Sequence, residues 1–320
     1  MVRKNITEDR INEINKAITI SGTSTISRTQ ALAFTALCLM SASAWLLDQA
    51  LPTALPSNPS QALHALIVAA ALTVWKLFAP RNPRPSTSTV LKLALASLCL
   101  FVLPSALAEA VSASVSQITL ATLFTLVPAA VVVLAPYCNL PSANRLLAPA
   151  ILGLAGALLL LPFTQPATLP QAALYALVLA AAVVVALASI WLHRLLASIT
   201  LLDAALVCSL TTTVAFAALY LTNRTPWTVS PQLLTTEALK SLAFDLPQLL
   251  LLLWLLRELP PTRLAARYLV VPLLTVLEGF VLLRPELTLR SLSGAALLTI
   301  GAWRLLTAHE PDEEPRLSLK

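Results

Sequence analysis

Residues 146–193 read LLAPAILGLAGALLLLPFTQPATLPQAALYALVLAAAVVVALASIWLH, with no Asp, Glu, Lys or Arg among them. One helical crossing of a bilayer takes roughly 20 apolar residues, so this stretch holds two crossings and a fold-back. The fold-back falls at residues 162–170, PFTQPATLP, where closely spaced prolines end a helix and favour a turn. The arms on either side are continuous Leu/Ala runs. They lack the dyad alternation of membrane-barrel strands, which argues for helices.

The rest of the chain has the same character. Its 320 residues hold 21 Lys+Arg and 15 Asp+Glu, 11% charged against 58% hydrophobic, and the mean hydropathy is +0.81. Soluble domains run at about 25% charged residues. Eight of the charges crowd into residues 1–30 and six into 307–320, so the centre cannot cover a water-facing surface. A soluble enzyme, a nucleic-acid-binding protein and a disordered chain are thereby excluded. A polytopic protein embedded in the lipid bilayer is expected. The net charge of +6 then reads as a topology signal. Cys38, Cys99, Cys138 and Cys208 lie far apart without a CxxC, so neither a disulfide framework nor a zinc site is expected. The first 28 residues are polar and mixed in charge, unlike a cleaved signal.

Ten helices are predicted, at 31–51, 61–79, 90–109, 115–137, 146–162, 171–193, 196–221, 237–257, 263–283 and 288–306. With alternating crossings, 17 Lys and Arg fall on one side, including Arg3, Lys4, Arg81, Arg145, Arg194 and Arg304. Only Arg224, Lys240, Arg284 and Arg290 fall on the other. The positive-inside rule places both termini in the cytoplasm, and the cell (inner or plasma) membrane is the expected location.

The two halves repeat. Phe101-Val-Leu-Pro104 matches Phe244-Asp-Leu-Pro247 at an offset of 143, and Val127-Pro128 matches Val271-Pro272 at 144. Residues 149–156 match 294–301 at 145, and Ser43-Ala-Trp45-Leu46 matches Ser189-Ile-Trp191-Leu192 at 146. A five-helix unit has odd parity, so the second copy starts on the opposite side of the membrane. The expected fold is all-α, with ten transmembrane helices as two inverted five-helix repeats, 31–163 and 171–306. Cytoplasmic tails occupy 1–30 and 307–320. Inverted repeats recur in secondary transporters, with the substrate site near the midplane.

Five plus five spans, a proline early in the fourth and ninth helices and glycines in the fifth and tenth resemble the drug/metabolite transporter superfamily, EamA-type. The run from Pro272 to Trp303, PLLTVLEGFVLLRPELTLRSLSGAALLTIGAW, carries most of the likeness. Leu283-Arg284-Pro285-Glu286 departs from the Gly-Glu pair common in that family. The resemblance implies movement of small metabolites, often amino acids, without ATP hydrolysis.

Ionisable groups at bilayer depth are costly and mark function by default. Glu278 is the first candidate, for proton coupling or for a substrate amine. Tyr268, Val271 and Thr275 share its helical face, and the alternative is a buried acid paired with Arg284. Asp245 is the second, on a polar stripe with Ser241 and Gln248; the alternative is an interfacial carboxylate near Lys240 and Glu237. Asp203 reads mainly as a structural ion pair near Arg194. Asp48 and Glu109 fall at helix ends and read as solvated. Gln117, Thr122 and Thr125 are candidates for the first-half cavity or for bonds to their own backbone. Trp45 and Trp191 read as interfacial aromatics or as paired gates. Gly156, Gly294 and Gly301 read as close-packing positions. His64, His193 and His309 are scattered, and no Walker, HExxH or GxSxG motif occurs. No enzymatic activity, metal or cofactor is expected. The expectation is a secondary transporter, most readily an exporter, of a small polar metabolite, amino-acid-like or drug-like, with a homodimer as one assembly. Alternatives are a nucleotide-sugar or lipid-linked carrier, and a membrane scaffold or enzyme subunit.

Overall fold

The computed structural model describes residues 26–51, 55–80, 85–138, 140, 144–223, 230–283 and 288–307. Residues 1–25 and 308–320, most of the two expected tails, lie outside the described residues. So do Arg81, Arg84, Arg224, Arg284, Pro285, Glu286 and the side chain of Asp48. Among the described residues every regular element is helical.

The first half contains α1 (Arg28–Ala42), α2 (Ala44–Ala50), α3 (Ser57–Phe78), α4 (Thr87–Ser97), a π-turn at Leu98–Val102, α5 (Leu103–Val111), α6 (Gln117–Phe124), α7 (Val127–Leu134) and α8 (Leu147–Leu160). The second contains α9 (Leu169–Leu196), α10 (Leu201–Asn223), α11 (Pro231–Lys240), a π-turn at Ser241–Asp245, α12 (Leu246–Glu258), α13 (Pro261–Leu264), α14 (Arg267–Leu283) and α15 (Leu289–Thr307). Consecutive pieces join into rods. Seven rods among the described residues are long and apolar enough to cross a membrane: 57–78, 87–111, 117–134, 169–196, 201–222, 231–258 and 261–282. Three expected spans are weaker. The 31–51 span breaks at Ser43 into α1 and α2, 146–162 yields the short α8, and α15 carries Arg290 and Arg304.

Local chemistry sets the ends. Ser27 accepts from Gln30 N at 3.1 Å while Gln30 Oε1 accepts from Ser27 N at 3.0 Å, a closed capping box on α1. Ser86 and Ser230, 144 residues apart, cap the rods 87–111 and 231–258 by accepting from the backbone N–H three residues on, without a reciprocal bond. Each of these rods then widens into a π-turn two residues before a proline, Pro104 or Pro247. Proline offers no N–H and its ring crowds the carbonyl four residues back, so the preceding turn opens.

The packing is exchange-symmetric between the halves. α1 packs on α12 and α14, and its counterpart α9 packs on their counterparts α5 and α7. The counterparts α3 and α10 pack on each other, as do α8 and α15. The last pair meets backbone to backbone. A Cβ on Gly156 would lie 2.5 Å from Leu298 N and 2.8 Å from Gly294 O. A Cβ on Gly301 would lie 2.7 Å from Gly153 N and 2.8 Å from Pro149 O. Adding 145 to Gly156, and subtracting it from Leu298 and Gly294, turns the first set of contacts into the second. Large apolar side chains such as Leu77, Phe78, Val214 and Trp303 are left exposed on the outside, a surface suited to lipid.

Candidate functional site

A cavity of about 490 Å³ lies between the two halves, within the usual size of a small-molecule site. The first half contributes Ser41 of α1, Gln61, His64 and Val68 of α3, Phe101 of the first π-turn, Ser105 of α5 and Phe124 of α6. The second contributes Cys208, Ser209, Thr212 and Phe216 of α10, Asp245 of the second π-turn, Gln248 of α12, and Arg267 and Tyr268 of α14. Both π-turns line the same space, halfway along their rods. A π-turn advances the chain by an extra residue per turn, so it re-aims side chains that an α-helix would set on one stripe. Asp245 and Gln248 face the cavity, whereas Ser241 is buried and donates to Glu237 O at 2.7 Å. The expected three-residue stripe is therefore corrected to two.

One wall carries an ionic bridge. His64 Nε2 closely contacts Glu237 Oε2, and His64 Nδ1 lies 2.9 Å from Asp245 Oδ2. Ser60 Oγ donates to Glu237 Oε2 at 3.3 Å. Glu237 is fully buried, and its Oε1 has no hydrogen-bond partner among the described residues. Lys240 is buried one turn further along the same helix. The cavity is also lined by Arg267, which donates from Nη2 to Tyr268 OH at 2.9 Å and stands 4.8 Å over the Tyr268 ring. Gln248 Nε2 donates to Ser41 Oγ at 3.0 Å and ties α12 to α1.

Of the sequence candidates, Asp245, Gln248 and Tyr268 line the cavity. Glu278 is not among the lining residues. It accepts from Ser43 Oγ at 2.6 Å and from Trp45 Nε1 at 3.1 Å, latching α14 to the break between α1 and α2. Glu278 and Trp45 thus meet, and the expected Arg284 partner lies outside the described residues. Thr275 donates to Val271 O at 3.1 Å and stays on its own helix. Gln117 is exposed in the first turn of α6 behind its Ser116 cap, away from the cavity. Thr122 and Thr125 bond Ile118 O and Thr122 O, taking the backbone alternative. Asp203 pairs with Lys76 of α3 rather than Arg194, and accepts from Thr200 Oγ1 at 2.7 Å. Glu109 accepts from Ser57 Oγ at 2.8 Å at an exposed helix end. Trp191 is 37% exposed, on the other half from the latched Trp45.

Sequence reasoning missed His64, Glu237 and Arg267 as site residues. A histidine alone in the apolar run ALHALIV carries the same warning as an acid at that depth. Glu237 was read at a helix boundary, but the helix starts six residues earlier at Pro231 behind Ser230. That Ser-Pro start is a regular N-terminal signal, hidden by the polar run that follows it.

No family model matches the chain, and no curated protein matches it. A solved structure is similar in fold. Described only as "Crystal structure of protein", it superimposes with a TM-score of 0.67 at 17% identity, over 87% of this chain and 96% of its own. At that identity the likeness concerns the fold alone.

Proposed function

We propose that the chain is a secondary transporter of small amine-bearing or zwitterionic metabolites, working by alternating access in a bacterial-type inner membrane. On this reading the rods make ten crossings as two inverted five-helix repeats, 31–163 and 171–306, with both termini in the cytoplasm and the cavity at the midplane. The exchange-symmetric packing, the matched π-turns and the reciprocal glycine contacts support the repeat, and an odd helix count per unit gives the inversion. The cavity is the observation that carries the function. It draws residues from both halves and offers Asp245 to an ammonium, Arg267 to a carboxylate and phenyl rings to an apolar body. Rocking one unit against the other would expose such a site to each side in turn. The likeness of the Pro272–Trp303 run to EamA-type drug/metabolite transporters agrees with this reading. Among the described lining residues Arg267 is the sole Lys or Arg, which favours a small carboxylate over the phosphates of a nucleotide-sugar or lipid-linked carrier.

The test compares metabolites inside and outside cells making the wild-type chain, the Asp245→Asn variant at equal membrane abundance, or neither. A small set of amines or amino acids redistributed by wild type alone is expected. Identical profiles in all three, across media supplemented with amines and amino acids, would count against transport and in favour of a scaffold.

A further inference from the structure

The bridge at His64 has a donor-acceptor count that does not close without an extra proton. An ionised carboxylate only accepts hydrogen bonds, and a neutral imidazole donates from one ring nitrogen while the other accepts. Here both ring nitrogens face carboxylate oxygens, Nε2 at Glu237 and Nδ1 at Asp245. With a neutral ring one contact would set a lone pair against a carboxylate. With an imidazolium, Nε2 makes a charge-assisted hydrogen bond to Glu237 and Nδ1 an ion pair with Asp245 Oδ2 at 2.9 Å.

We propose that this bridge is the protein's exchangeable proton site, and that the ammonium of the substrate takes the place of the His64 Nδ1 proton at Asp245. This rests on the transport reading above. In the proton-loaded form the imidazolium pins α3 to α11 and to the second π-turn. Of the two carboxylates Asp245 lines the cavity, whereas Glu237 is fully buried and not among the lining residues. An arriving ammonium pairs with Asp245 and places a second cation beside the ring. His64 then releases its Nδ1 proton to cavity water and keeps the Nε2 hydrogen on Glu237. When the substrate leaves on the other side, a proton from that side returns to Nδ1. One ammonium group is exchanged for one proton.

For a cargo whose only charge is its ammonium, the surroundings fit an electroneutral exchange; a zwitterion brings in addition a carboxylate for Arg267. From α11 and the second π-turn come Glu237, Lys240 and Asp245. From α10 come the titratable side chains Asp203, Cys208 and Tyr220, of which Asp203 is bound to Lys76 at the far end of α3. To the cavity lining α14 supplies Arg267 and Tyr268. Imidazolium, Lys240, Glu237 and Asp245 sum to zero charge, and ammonium with a neutral ring gives zero again. The form lacking both proton and amine leaves a carboxylate facing a lone pair at bilayer depth, a state that a low-dielectric setting penalises. Reorientation without cargo is thereby suppressed, which is what coupling requires.

Two measurements on the purified full-length protein test this. The chain has three histidines, so the nitrogen spectrum of 15N-histidine protein is simple, and His64→Gln assigns the His64 signals. Without substrate at pH 7, hydrogen is expected on both His64 ring nitrogens, and Asp245→Asn should leave it on one. A single ring hydrogen in the wild type overturns the proposal, whether or not the chain moves anything. The second measurement counts protons released in weak buffer on adding L-phenylalanine, a probe carrying an ammonium, a carboxylate and a ring. 3-Phenylpropionate, which lacks the ammonium, is the control. One proton per bound L-phenylalanine is expected from wild type, and none from His64→Gln or with the control. Binding without release overturns the exchange while leaving the transport reading standing. Absence of binding counts against the amine-bearing cargo on which the exchange depends, and the nitrogen spectrum then decides the proton site alone.

Discussion

The π-turn at Leu98–Val102 and the one at Ser241–Asp245 lie 143 residues apart, each two residues before a proline. Their last residues are Val102, buried, and Asp245, which meets His64 at the cavity. The proline opens the backbone in both places, so the opening belongs to the scaffold. The side chain at its end is free to differ, and of the two π-turns only the second brings a carboxylate to the cavity. The same division recurs elsewhere. Glu278 latches α14 to Ser43 and Trp45, whereas the residue 144 positions earlier is Leu134. Packing is shared between the halves, and function is asymmetric.

The shared part breaks hardest at the glycines. Gly156→Ala and Gly301→Ala each drive a methyl to within 2.5–2.7 Å of a backbone nitrogen, which cannot swing aside as a side chain can. Overpacking costs typically about 1–3 kcal/mol, and contact with backbone puts both variants at or above the top of that range. Thermal unfolding in detergent should show two large, similar losses. Gly279→Ala, with nothing within 4 Å of the new methyl, should be neutral or slightly stabilising, by up to about 1 kcal/mol from helix propensity. A large loss at Gly156 beside a small one at Gly301 would break the equivalence of the two halves.

Next comes the asymmetric pair. Asp245→Asn should lower transport or amine binding at least tenfold, about 1.4 kcal/mol, while the protein stays folded. Val102→Ala should lose about 1 kcal/mol of stability by leaving a small void and keep its amine affinity. Binding and melting on the same samples separate the two. Equal loss of affinity in both variants would mean that the π-turns act as one unit.

How much of this the sequence shows depends on which force writes each feature. The helical membrane class is written in composition, since burial in lipid demands long uncharged runs such as 146–193. The proline-linked openings are written in the repeat matches around Pro104 and Pro247. Asp245 and Gln248 follow from helical spacing. Ser241 does not, because a π-turn changes the period inside the very stripe used to place it. Glu278 was read toward a cavity because an acid in an apolar helix suggests one. Its partners Ser43 and Trp45 are more than 230 residues away in sequence, and no local pattern encodes that meeting. His64 and Glu237 join for the same long-range reason.

The latch gives a smaller, sharper test. Glu278→Gln keeps one carboxamide oxygen to accept from Ser43 or Trp45, but loses the charge that strengthens both bonds. A stability loss of about 1–2 kcal/mol is expected. Affinity for an amine should stay within about twofold, because Glu278 is not among the residues lining the cavity. A larger fall in affinity would return Glu278 to the binding site and place function on both ends of α14.

The smallest effect is expected where α3 and α10 are tied by charge. Lys76 and Asp203 form an ion pair, yet the Lys76 side chain is 47% exposed, and exposed pairs contribute about 0–1 kcal/mol. Asp203 is also held by Thr200, whose hydroxyl donates to its carboxylate and accepts from its backbone N–H. Lys76→Met should therefore shift the melting midpoint little and leave transport intact, because Thr200 keeps the carboxylate paired. Asp203→Asn should cost somewhat more, since it weakens both the cap and the ion pair. The positions 144 residues away from Asp203 and Lys76 are Pro59 and Tyr220, so the opposite end of the α3–α10 pair is built without this charge. A cycle of Lys76→Met, Asp203→Asn and the double variant isolates the coupling, which should stay below about 1 kcal/mol. A coupling several times larger, with transport lost alongside, would make this end of the α3–α10 contact a moving part rather than a tie.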